Sequence, residues 1–80
     1  MGTKQAIANR IIQLCEEHDI AINELANRSA VAPSTVYSIL DQRSQNPGTV
    51  TIKKLCDGLE ITLGEFFNTP EFDALEQEIK

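Results

Sequence analysis

The sequence predicts an all-α domain: a compact five-helix bundle with a possible short C-terminal helix. Three observations carry that prediction. Apolar residues recur at i, i+3 and i+4 through most of the chain, no useful stretch alternates apolar and polar as a strand would, and polar turn signals cut the chain into short helical lengths. Eighty residues build one core, because a chain of this size buries only about 60% of the surface it exposes when unfolded. A composition of 41% hydrophobic and 24% charged residues is that of an ordinary globular domain.

The first helix runs from about Thr3 to His18, with Ile7, Ile11, Leu14 and Cys15 on its inner face and Gln5, Asn9, Gln13 and Glu16 between them. Ile22, Leu25 and Ala26 repeat the pattern in a short second helix that stops near Ser29-Ala30. A third helix begins at about Pro33, since proline is tolerated in a first helical turn, and turns Val36, Ile39 and Leu40 inward. The polar run from Asp41 to Gly48, ending in Asn46-Pro47-Gly48, reads as a loop. Thr49 or Thr51 is expected to cap a fourth helix with Ile52, Leu55, Cys56 and Leu59 inside, and Thr62 a fifth with Leu63, Phe66 and Phe67. Phe72, Leu75 and Ile79 keep helical spacing beyond Pro70, in a segment too short to be a stable helix alone, so it docks or frays. Residues 1–68 are therefore the folded domain and 69–80 an acidic C-terminal tail, helical or dimer-forming.

Several function classes fall away. No run is long and apolar enough for a membrane span, and Met1-Gly2-Thr3-Lys4-Gln5 lacks the basic-then-apolar layout of a signal peptide, so a cytoplasmic protein is expected. Cys15 and Cys56 lie far apart among apolar neighbours, as buried thiols of a reducing compartment do. One histidine, no glycine-rich phosphate loop and no nucleophile spaced to a base leave an enzyme, a cofactor and a small-molecule substrate without support. Cys15 and His18 share a helix face but are too few ligands for a tetrahedral metal site.

The stretch from Ile22 to Arg43 places a short helix, a turn of about three residues and a second short helix in immediate succession, which is helix-turn-helix geometry. The second helix presents Ser34, Thr35, Tyr37 and Ser38 outward, hydrogen-bonding residues with no acid among them. Such a face suits double-stranded DNA, with hydroxyls reaching phosphates and base edges. Net charge argues the other way: it is −5 overall, although Glu71, Asp73, Glu76 and Glu78 of the tail face only Lys80, and residues 1–68 carry a net of −2. Lys53 and Lys54 read mainly as solvated charges, and Arg10 and Arg28 either touch phosphate or pair with Glu16, Glu17 or Glu24.

Gln5 to Phe67 resembles the helix-turn-helix domain shared by Cro, the phage lambda-type repressors and the xenobiotic-response-element regulators. The matching runs are Ile22 to Val31, Pro33 to Leu40, Arg43 to Pro47, Thr51 to Cys56 and Ile61 to Phe67. The resemblance implies a sequence-specific transcriptional regulator, a repressor acting as a homodimer, with a recognition helix over about Pro33 to Leu40. It implies base-facing roles for Pro33, Ser34, Tyr37 and Ser38 and backbone-facing roles for Thr35, Arg43, Ser44 and Asn46. Related domains usually carry glycine where this chain has Ala30, Gln42 and Glu60, so a left-handed backbone is implied there. They commonly have a capping Ser or Thr where Ala21 stands, and often Asn at Asp41, whose charge lies beside the expected DNA face. A protein-interaction module with weak or no DNA binding is the alternative, in which Phe66, Phe67, Phe72, Leu75 and Ile79 form an apolar pairing surface.

Overall fold

The computed structural model describes residues 2–41 and 46–79. Among them are six helices and no strand: α1 (Thr3–His18), α2 (Ile22–Arg28), α3 (Pro33–Asp41), α4 (Thr49–Leu59), α5 (Leu63–Phe67) and α6 (Pro70–Asp73). The five expected helices start and stop within a residue or two of where periodicity puts them. The apolar stripes meet in one core, in which Ile11, Leu25, Val36, Leu55, Cys56 and Phe66 are fully buried. Each aliphatic or phenyl side chain of that set contributes roughly 1.5–3 kcal/mol through burial. The stripe of α1 lies across α2 and α3, α4 packs against α2 and α5, and α6 returns to α1.

Helix ends show which local signals hold. α1, α2 and α4 begin at Gly2, Ala21 and Gly48, none of which supplies a capping side chain. The missing cap at Ala21 agrees with the sequence reading, whereas Thr49 and Thr51 do not cap α4: helix formation starts at Thr49 itself, so both threonines lie inside it. By contrast, Thr62 accepts a hydrogen bond from the Glu65 N–H at 3.0 Å while Glu65 Oε1 accepts from the Thr62 N–H at 3.0 Å, a complete capping box. A short helix with one buried residue, Phe66, leans on such a cap.

Three helices end through the same motif without glycine. Asp19, Ala30 and Glu60 have φ of 54°, 55° and 59°. In each case the N–H of the left-handed residue donates three residues back, to Glu16, Asn27 and Asp57, and the next N–H donates five back, to Cys15, Ala26 and Cys56. This is the Schellman arrangement. The following residue is apolar each time, and Ile20, Val31 and Ile61 pack against the core. Anchoring that residue holds a backbone conformation that costs a non-glycine residue roughly 1–2 kcal/mol. Ala30 and Glu60 lie where the resemblance implies this conformation; Asp19 carries no such signal, and Gln42 lies outside the described residues.

The end of α2 approaches α4 closely at Gly58. A Cβ added at Gly58 would meet Ser29 Oγ at 2.1 Å and the Ser29 backbone N and Cα at 3.1 and 3.2 Å, so this helical position admits only glycine as packed. Ser29 is buried beside it, and its hydroxyl has no hydrogen-bond partner among the described residues.

The C-terminal region departs from its simplest reading in two ways. The helix there is a single turn, Pro70–Asp73, capped by Thr69; Leu75 and Ile79 lie beyond it, and Ile79 is 86% exposed. Phe66, assigned to the alternative pairing surface, is wholly buried, because α5 turns it into the core. Phe67 and Phe72 stack edge-on at 5.0 Å, and Phe72 packs half-buried against the core, docking the turn. Cys15 and Cys56 are buried free thiols. Burial pushes both thiols up from their ordinary range, Asp57 adding to the effect at Cys56 while Lys53 and Arg10 oppose it.

Candidate nucleic-acid interface

Position along α3 decides which side chains are available. Val36 and Ile39, 0% and 3% exposed, fasten the helix to the core, and Leu40 is half-buried against it. With that side fixed, Pro33, Ser34, Thr35, Tyr37 and Ser38 are exposed, Tyr37 by 50%. Pro33 opens the helix where an N–H would have no intrahelical acceptor, and the first turn closes through Thr35 N–H to the Ala32 carbonyl at 2.9 Å. α2 braces α3 through the left-handed turn at Ala30.

A groove runs between α3 and the start of α4. Thr35, Ser38 and Ile39 line one side, and Asn46, Pro47, Gly48 and Thr51 the other. Thr35 and Asn46, both expected at the nucleic-acid backbone, thus share one groove, and Ser38, expected at the bases, lines it with them. Ser34 and Tyr37 stand exposed outside it. Arg43 and Ser44 lie outside the described residues. Gly48 and Thr51 were not singled out for this role by sequence. Their signal is the capless start of α4, whose leading N–H groups and helix dipole favour an anion at that end.

Two cations, one on α2 and one on α4, are held in exposed i,i+4 pairs, Arg28 with Glu24 and Lys53 with Asp57. Pairs of this kind contribute about 0–1 kcal/mol. Arg10 has a different place from the one expected of it. Its Nε donates to the Phe66 carbonyl at 2.7 Å, Nη2 to the Glu65 carbonyl at 2.8 Å and Nη1 to Gln13 Oε1 at 2.9 Å. It therefore satisfies the C-terminal carbonyls of α5, neither pairing with Glu16, Glu17 or Glu24 nor standing ready for a phosphate. On α1, Cys15 is buried whereas His18 is exposed with Nδ1 2.9 Å from the Leu14 carbonyl. Asp41 is exposed at the last position of α3.

Two short helices joined by a tight turn, the first bracing a second whose outer side is polar and open, define a helix-turn-helix domain. The model of the Cro/C1-type HTH DNA-binding domain matches residues 10–71, and the chain belongs to that family of DNA-binding regulators. Among solved structures, the crystal structure of the prophage Lp1 protein 11 is similar to it, with 28% identity and a TM-score of 0.82 over 94% of this chain and 100% of that one. No curated protein matches the chain. No helix among the described residues is long and apolar enough to cross a membrane.

Proposed function

We propose that the chain is a sequence-specific transcriptional repressor that reads the major groove of double-stranded DNA with α3, as a homodimer on a two-fold-related operator. The observation that carries this reading is the outward side of α3: exposed, free of acidic residues from Pro33 to Leu40, and continuous with the groove between Thr35 and Asn46. Pro33, Ser34, Tyr37 and Ser38 would face base edges. Hydroxyls there donate or accept according to the base, and the Tyr37 ring adds contact area. Thr35, Arg43, Ser44 and Asn46 would meet phosphates, aided by the positive end of α4. The homodimer and the repressor role rest on the resemblance to Cro and the phage repressors, and imply half-sites about 34–36 Å apart.

One observation favours the second reading, a protein-interaction domain: the net charge of −5. The test that separates the two compares Arg43→Ala with Tyr37→Ala on duplex DNA across a salt series. For a DNA reader, Arg43→Ala weakens binding to all sequences alike and lowers the salt slope by about 1, whereas Tyr37→Ala alters which sequence is preferred. Equal indifference of affinity and slope to both changes contradicts the assignment.

A further inference from the structure

We propose that the acidic C-terminal segment is an intramolecular brake on the DNA face, latched by Glu78. The inference rests on the DNA-binding reading above and adds its regulation. Thr3 Oγ1 donates to Glu78 Oε2 at 2.8 Å, a contact between residues 75 apart that brings the tail back to the first turn of α1. That helix starts at Gly2 without a capping side chain and has no acidic residue in its first turn. The Glu78 carboxylate supplies the anion that the positive end of a 16-residue helix favours.

The latch lies next to the proposed DNA surface. Glu78, Gly2, Thr3, Lys4 and Ile7 line a cavity together with Asn46 and Pro47, Lys4 being the cation among them. The same Asn46 and Pro47 form the wall of the groove that holds Thr35 and Thr51. Asn46 and Pro47 are thus common to the cavity that holds Glu78 and to the groove in which a phosphate would sit. A phosphate seated against Asn46 and a carboxylate beyond the same residues repel, and salt screens that repulsion with a Debye length of about 8 Å at physiological ionic strength. Releasing the tail relieves that repulsion, and by linkage bound DNA weakens the Thr3–Glu78 contact by the same factor. The four acids of residues 69–80 against one Lys lower the net charge of the chain from −2 to −5, and the latch brings one of those carboxylates, with Lys4 in the same cavity, to the flank of the site.

The test uses the full chain and three variants, Thr3→Val, Glu78→Gln and Glu71→Gln, with folding checked by circular dichroism. Affinity for the duplex most enriched by selection is read by fluorescence anisotropy at about 50 mM salt and again at about 300 mM. Thr3→Val breaks the latch without changing net charge, and Glu71→Gln removes a tail charge without touching the latch. The expected result is that Thr3→Val and Glu78→Gln tighten binding about three- to tenfold at the lower salt, with the gain gone at the higher, while Glu71→Gln stays within about twofold. Unchanged affinity in Thr3→Val, or a gain in Glu71→Gln equal to that of Glu78→Gln, overturns the brake, the second by reducing it to bulk charge. Should no variant bind any duplex, the DNA reading fails and the brake with it. That case is recognisable because the amide resonances of Thr3 and Asn46 would still respond to Glu78→Gln.

Discussion

Val36 and Ile39 on the inner side of α3 are 0% and 3% exposed, whereas Tyr37, one residue along, is 50% exposed, with Ser34 and Ser38 open beside it. The inner side is held by a core to which α1, α2, α4 and α5 all contribute. The outer side is exposed and contributes no residue to that core. Stability and the proposed recognition thus fall on opposite sides of one nine-residue helix, so substitutions on the two sides should separate cleanly into those that change folding and those that change binding.

The largest expected effect lies on the inner side. Leu25→Ala empties a fully buried position in the bracing helix and should cost about 2–5 kcal/mol in urea unfolding, with DNA binding lost only as far as the fold is lost. A smaller cost would mean that the α2–α3 contact relaxes to fill the space. Next is Gly58→Ala, whose methyl group overlaps Ser29; about 1–3 kcal/mol should be lost, with part restored in the double variant with Ser29→Ala. Strict additivity of the two changes would show that the Ser29–Gly58 approach is not what requires glycine. Ser29→Ala alone, which removes a buried hydroxyl without a partner among the described residues, should be neutral or stabilising by up to about 1 kcal/mol.

Ala30→Gly bears on the turn between the two faces. Relief of the left-handed strain should raise stability by about 1 kcal/mol, or Tm by roughly 4–8 °C, while the preferred DNA sequence stays the same. A fall in Tm would mean that the loss of unfolded-state entropy that Ala30 provides outweighs its strain. The smallest expected effect on stability is that of Tyr37→Ala, within about 0.5 kcal/mol, together with an altered DNA preference. Were Tyr37→Ala to destabilise as much as Leu25→Ala, the separation of the two faces would fail.

Much of this architecture is legible in the amino-acid order because its causes are local. Apolar spacing places α1 to α5, Pro33 marks the start of α3, and Thr62 marks the cap of α5. The outward residues of α3 follow from the inward ones, which is why Ser34, Tyr37 and Ser38 are exposed as anticipated. What escaped the sequence depends on distant partners. Nothing near Arg10 announces carbonyl acceptors 55 and 56 residues away, nothing near Gly58 announces Ser29, and nothing near Thr3 announces Glu78. The left-handed backbone at Asp19 was missed because an aspartate there has no strong local signal, while the resemblance to glycine-bearing relatives pointed to Ala30 and Glu60. Thr49 and Thr51 were misread as caps because capping residues also occur inside a helix, where chain direction and packing decide the start. The short α6 stops at Asp73, since spacing alone cannot carry a helix whose last apolar residue, Ile79, finds nothing to cover it.

The central claim, that this domain reads DNA sequence through α3, is tested most directly by selecting bound sequences from a random duplex pool at low salt and titrating the winner with salt. The account predicts an enriched, roughly palindromic motif whose affinity falls steeply as salt rises and whose preferred bases change in Tyr37→Ala. A pool that stays random, with no binding even at the lowest salt, would contradict it and leave a helix-turn-helix fold engaged in protein contacts.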